Sequence, residues 1–159
     1  MKKPPSVEWR YLPFTDLSIH DVHDILKLRQ DIFVVEQDCA FHDIDGRDPF
    51  CDHLLARLVD GKAAESLVAY LRIVPPGKYF TEIALGRIVT AQSVRGSGIG
   101  TLLIEKGIDL VEEVYGPSDI RISAQAHLET YYNKFGFLKA GDPFDEDGIM
   151  HIEMLRAAR

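Results

Sequence analysis

The stretch EIALGRIVTAQSVRGSGIGTLLIEKGI, residues 82–108, decides the fold. Glu82–Thr90 is rich in Ile, Leu and Val and reads as a strand. After a short polar link, Arg95-Gly96-Ser97-Gly98-Ile99-Gly100 leads into a helix. Leu103, Ile104, Gly107, Ile108, Val111 and Val114 share one face of that helix until Gly116-Pro117 ends it. A strand that passes through such a turn leaves backbone N–H groups unpaired at the helix N-terminus, where the macrodipole favours negative charge. The turn can therefore hold a pyrophosphate. Glycine is needed because a side chain would keep phosphate oxygens from the amides, and because some turn positions require φ > 0. Spacing excludes two common phosphate loops. A Walker A loop ends in Gly-Lys-Ser/Thr, whereas Gly100 is followed by Thr101-Leu102; a dinucleotide turn counted from Gly96 would need glycine at Thr101. A tight turn serving packing alone is the competing reading.

Outward from this stretch, Val7, Trp9 and Tyr11 alternate with Glu8 and Arg10 as a first strand. Ser18 with Asp21 opens a helix running to about Val35, with Ile19, Val22, Ile25, Leu26, Arg29, Ile32 and Phe33 at helical spacing. Residues 38–53 keep no period and read as an irregular connection with a helical turn. Leu54–Val59 and Leu67–Val74 form a hairpin through Asp60-Gly61, and Pro75-Pro76-Gly77 ends it. Downstream come a strand (Ile120–Ala124), a helix (about His127–Phe135) stopped by Gly136, and two strands (Phe137–Phe144 and Ile149–Leu155) around Asp145–Gly148. The sum is an α/β (α+β) chain with a mixed, mostly antiparallel sheet flanked by helices, one domain over residues 1–159.

With 159 residues, 46% apolar and 27% charged, the composition suits one ordinary core and excludes disordered, collagenous and repeat chains. No apolar run approaches the ~18 residues that span a bilayer, and the lysines at the start are followed by prolines and polar residues, so a cytoplasmic protein is expected. Cys39 and Cys51 read as reduced thiols. A net charge of −7 argues against a nucleic-acid partner. Residues 36–52 hold six acids (Glu36, Asp38, Asp43, Asp45, Asp48, Asp52) against Arg47, whereas 86–104 hold Arg87, Arg95 and no acid. One region favours cations and the other anions. Asp43-Ile44-Asp45-Gly46 is not a calcium loop, because an EF-hand register puts Phe41 at position one and Asp52 at position twelve. His42 and His53 lack metal-ligand spacing, and no metal is expected.

Ile88-Val89-Thr90 with Arg95-Gly96-Ser97-Gly98-Ile99-Gly100 resembles the acetyl-CoA motif of the Gcn5-related N-acetyltransferase (GNAT) superfamily, Arg/Gln-x-x-Gly-x-Gly/Ala. Tyr131-Tyr132-Asn133-Lys134-Phe135-Gly136-Phe137 is similar to its later aromatic-Tyr-x-x-x-Gly-Phe motif. Phe33–Gln37 with Asp43–Gly46, then Ala84–Val89, then Gln125-Ala126-His127 with Glu146–Ile149 and His151 resemble the ElaA-like branch. The resemblance implies a GNAT-type acyl-CoA N-acyltransferase fold, in which two internal strands splay apart around the pantetheine. It also implies acetyl-CoA as cosubstrate. Ile88 and Val89 would offer backbone groups at a strand bulge to pantetheine and the thioester carbonyl, and Arg95, Gly96, Ser97, Gly98, Ile99, Gly100 and Thr101 would surround the pyrophosphate.

By the same resemblance Tyr132 takes the position that in many members protonates the departing thiolate, an aromatic packed under the cofactor being the other reading; Tyr131 reads as core. For the base, Glu82 lies six residues before Ile88, on the same strand face by parity, and matches a glutamate of the superfamily's histone acetyltransferases. His151 and His127 are alternatives, since an imidazole near pKa ~6.5 needs little tuning. Arg29, Phe33, Glu36, Gln37, Asp43, Asp45, His53 and His127 are the acceptor-binding candidates; the acids would suit a cationic amine, a solvated loop being the other reading. Many members have Asn where Gln125-Ala126-His127 stands, so no cofactor contact is assigned there. The implied activity is direct transfer of acetyl to a small-molecule or peptide amine, with no nucleic-acid or membrane partner. A non-catalytic acyl-CoA sensor, a longer acyl chain or another nucleophile, and a homodimer through an exposed strand edge all stay open.

Overall fold

The computed structural model describes residues 3–59 and 66–159. Strand β1 (Val7–Pro13) packs Val7, Trp9 and Tyr11 against the core, as their alternation predicts. Helix α1 (Ile19–Arg29) starts with a reciprocal capping box between Ser18 and Asp21. The winding does not stop at Arg29 but widens into a π-helical segment, Gln30–Glu36. The expected single helix is thus two windings in series, the second of a kind that occurs often at functional sites. After the irregular connection, β2 (Asp52–Leu58) and β3 (Leu67–Val74) pair antiparallel. Their predicted turn at Asp60-Gly61 lies outside the described residues.

Next come β4 (Ile83–Thr90), α2 (Ile99–Tyr115), β5 (Ile120–Gln125) and the short α3 (Glu129–Asn133), then β6 (Leu138–Lys139), β7 (Phe144–Glu146) and β8 (Ile149–Arg156). The expected strand Phe137–Phe144 is corrected here to two short pieces. Gly141-Asp142-Pro143 separates them, and proline has no N–H for a ladder. The sheet order is β1-β2-β3-β4-β5-β8-β6, with β7 also on β8; every pairing is antiparallel except β4 with β5.

Helices cover both faces. On one, Leu103, Ile104, Ile108 and Val111 of α2 join Leu71, Leu85 and Ile122 in the main core. A Cβ at Gly107 would stand 2.9 Å from Leu71 Cδ2, so glycine sets how closely α2 lies on β3. On the other, Ile25, Leu28 and Ile32 pack on Leu55, Tyr70 and Val89. No helix among the described residues is long and apolar enough to cross a membrane.

Two irregularities of β4 shape the site. It pairs with β5 only at Ile83–Ile120 and Ala84–Arg121, after which the strands part. Against β3, Tyr70 faces Val89 and Arg72 faces Gly86, so Arg87 and Ile88 together stand opposite Leu71. This is a β-bulge, and Arg87 within it has φ 50°.

Candidate active site

Beyond Ala84 the edge of β4 facing β5 has no strand partner among the described residues, in the middle of the sheet. Main-chain donors and acceptors there suit an extended ligand with amides of its own. From this open edge the chain runs through Gln92–Val94 into the glycine turn. Gly96 and Gly98 have φ 75° and 89°, and Gly98 caps α2. Ser97 Oγ donates to the Val94 carbonyl and accepts from Ile99 N at 3.4 Å, which rigidifies the turn from inside. Among the described residues the N–H groups of Gly96, Gly98, Gly100 and Thr101 have no main-chain partner. These amides and the α2 dipole fit a pyrophosphate, and the unpaired β4 edge fits a pantetheine.

Arg95, expected at the pyrophosphate, instead grips both carboxylate oxygens of Glu36, while Gln92 Nε2 donates to the same carboxylate at 2.8 Å. Hydrogen bonds from Arg95 and Gln92 push the Glu36 carboxyl down to about 2. Glu36 is therefore tied to the start of the glycine turn rather than free to meet an acceptor. Tyr131 is half-buried, and its hydroxyl lies 3.5 Å from where a Gly100 Cβ would stand, so it borders the same turn as well as the core.

Tyr132 is 7% exposed and packs edge-on against Tyr131 and Phe137. Burial, helped by neighbouring Tyr131, raises its phenol well above the usual range, and its hydroxyl has no hydrogen-bond partner among the described residues. It is held protonated, as a proton donor must be.

The parity argument for Glu82 fails. The bulge inserts a residue between Glu82 and Val89, which reverses the face, and six strand residues span roughly 20 Å. Glu82 lies where β4 and β5 are still joined, with its carboxylate bound by Arg121 Nε at 3.0 Å and NH2 at 2.9 Å. Arg121 lowers its pKa, the wrong direction for a base. His151 stands opposite Gln125 at the open end of the splay. Its Nδ1 is 2.8 Å from the Ile149 carbonyl; a neutral ring bonded in this way carries its proton on Nδ1 and a lone pair on Nε2. Nε2 is 3.6 Å from Glu146, and Phe144 stacks on the ring. His127 is exposed on the turn before α3.

The predicted acceptor set divides. Gln37 Oε1 accepts from Gln125 Nε2 at 3.1 Å, joining the end of the first helical run to the β5 end beside His151, and Phe33 packs half-buried on the α1 side. Arg29, Asp43, Asp45 and His53 do not form a cation-binding surface, which corrects that expectation. Arg29 is fully buried, donating to Asp43 and Asp48, while Arg72 and Arg87 neutralise Asp45. His53 is buried, accepting a hydrogen bond at Nδ1 from the Tyr70 hydroxyl at 2.7 Å and donating one from Nε2 to the Asp48 carbonyl at 3.0 Å. The missed signal was Arg72, a charge inside the otherwise apolar run Leu67–Val74. Glu153 was missed too. It lies opposite Ser123, two residues from His151 on the same strand face, and burial raises its pKa. Among the described residues no cluster of His, Cys, Asp or Glu is placed to hold a metal ion.

A parted strand pair beside an amide-lined helix start is the site of an acyl-CoA transferase fold. The acetyltransferase (GNAT) domain family matches residues 56–157, and the chain belongs to that family. It is 41% identical to a UPF0039 protein of Synechocystis over 94% of each chain. It is 35% identical to the protein ElaA of Escherichia coli, covering 94% of this chain and 96% of that one. Among solved structures it superposes on an acyl-CoA N-acyltransferase from Pseudomonas aeruginosa with a TM-score of 0.88 at 34% identity, covering 96% of this chain and 100% of that one. The E. coli ElaA crystal structure gives 0.85 at 33% identity, over 95% and 99% of the two chains.

Proposed function

We propose that the chain transfers acetyl from acetyl-CoA to a primary amine by direct attack in a ternary complex. The observation that carries this reading is the unpaired β4 edge followed in the chain by the free amides of the glycine turn. An alkylamine of pKa ~10.4 is mostly protonated near neutrality and must lose a proton before it attacks. His151 Nε2, with its tautomer set by the Ile149 carbonyl, accepts that proton directly or through a water. The amine nitrogen bonds to the carbonyl carbon, and bulge N–H groups at Ile88 and Val89 stabilise the oxyanion. The C–S bond then breaks as Tyr132 protonates the leaving sulfur, and the second proton shed by the new amide nitrogen returns the Tyr132 phenolate to the phenol.

Thiol release from acetyl-CoA and longer acyl-CoAs across a panel of small and peptide amines tests the reading. Tyr132→Phe should lower kcat roughly 10- to 100-fold. His151→Asn should lower kcat/KM, and Glu82→Gln should leave it unchanged. Binding without turnover over the whole panel would make the chain a sensor instead.

A further inference from the structure

Three arginines and three aspartates stand under the β4 bulge, and the transfer chemistry above uses none of them. They form a closed ring of alternating charge. Arg87 Nε is 2.9 Å from Asp43 Oδ1, Asp43 Oδ2 is 2.9 Å from Arg29 Nε, and Arg29 NH1 is 2.8 Å from Asp48 Oδ1. Arg72 NH1 is 2.9 Å from the same Asp48 oxygen; Arg72 also holds Asp45, and Asp45 Oδ2 returns to Arg87 NH2 at 3.3 Å. Arg29 and Arg72 are 0% and 2% exposed. Arg29, Asp43, Asp48 and Arg72 are buried and Asp45 and Arg87 are partly so; burying charge is costly unless it is matched, and here each group touches at least two of opposite sign.

The ring closes on the one β4 residue whose backbone is unfavourable. Arg87 adopts the left-handed region, which a residue with a Cβ avoids, although its neighbour Gly86 is a glycine. Arg87 NH2 donates to the Asp43 carbonyl at 3.2 Å and to Asp45 Oδ2 at 3.3 Å, and the Phe41 ring 5.4 Å from the guanidinium also holds the side chain. Without that hold, β4 gains by shedding the extra residue into regular pairing with β3, which turns the following backbone groups to other directions.

We propose that Arg87 is a positioning residue, the point at which a buried Arg–Asp ring locks the β4 bulge and so aims the Ile88 and Val89 backbone groups at the thioester. The proposal rests on the acyl-transfer reading of the bulge, and it gives the acidic loop a mechanical role in place of acceptor recognition.

The test compares Arg87→Gly, Arg87→Lys and wild type, each checked for folding by its thermal midpoint. Arg87→Gly takes away the anchor together with the backbone cost of φ 50°, so a loss of bulge geometry in it reflects the missing side-chain hold and not strain. With acetyl-CoA and any accepted amine, kcat should fall roughly 10- to 100-fold, the scale of a misplaced oxyanion donor. KM for acetyl-CoA should stay within about twofold, because the glycine turn is untouched. Arg87→Lys should recover part of kcat. Independently of an acceptor, the carbonyl resonance of [1-13C]acetyl-CoA should shift on binding wild type and lose that shift in Arg87→Gly. An unchanged kcat and carbonyl shift in Arg87→Gly overturn the positioning role alone. A wild type that binds no acetyl-CoA overturns the acyl-transfer reading and this proposal with it.

Discussion

Replacing Arg29 with methionine tests the buried ring as a single electrostatic unit. Methionine keeps much of the volume and the apolar stem, so the change removes one positive charge and three hydrogen bonds, to Asp43 Oδ2 at 2.9 Å, Asp48 Oδ1 at 2.8 Å and the Asp43 carbonyl at 2.8 Å. Two cations then face three buried acids. Breaking a buried pair from one side costs about 3–5 kcal/mol, because the orphaned charge stays desolvated. Arg72 still reaches Asp48 and Arg87 still reaches Asp43, which places the expected loss near the lower end, about 3 kcal/mol. In a domain of this size that lowers the thermal midpoint by roughly 6–12 °C. Urea titration of wild type, Arg29→Met, Asp43→Asn and the double variant closes a mutant cycle. The double variant should recover at least half the loss, because it restores charge balance. A loss under about 1 kcal/mol for Arg29→Met, or strict additivity in the cycle, would falsify the view that these groups are desolvated and coupled.

Two further outcomes follow from pairs elsewhere in the structure. Glu36→Gln frees Arg95 from a competing anion, so CoA should bind roughly two- to fivefold more tightly by calorimetry at low salt, and less so at high salt; weaker binding would mean that Glu36 instead holds Arg95 in its working position. Burial lowers the pKa of His53, so the unfolded chain binds its proton first and stability should fall as pH drops below about 6.5 toward the folded value. Asp45 and Asp48, both lowered, lose their contribution only in stronger acid, and Glu153, raised, acts in the opposite sense. Urea midpoints at pH 5 and pH 7 should differ less in His53→Gln than in wild type, and an unchanged difference would assign the slope to other groups.

Periodicity and punctuation alone determined most of the fold. The alternation at Val7–Tyr11, the Ser18–Asp21 capping box, the two apolar hairpin runs and the glycine-led α2 are local signals, set by side-chain direction and backbone geometry within a few residues. Family membership was legible for a similar reason, because the glycine turn and the Tyr131–Phe137 segment are contiguous in the chain. Tertiary structure alone decided the rest. Counting from Glu82 to Ile88 assumed an unbroken strand, and the bulge that defeats the count exists only through pairing with β3. The acids of residues 43–48 looked available to a cation because their partners Arg29, Arg72 and Arg87 come from a helix and two strands distant in sequence. Charge is written into a sequence locally, but whether it faces solvent or another charge depends on which distant segments folding brings alongside it.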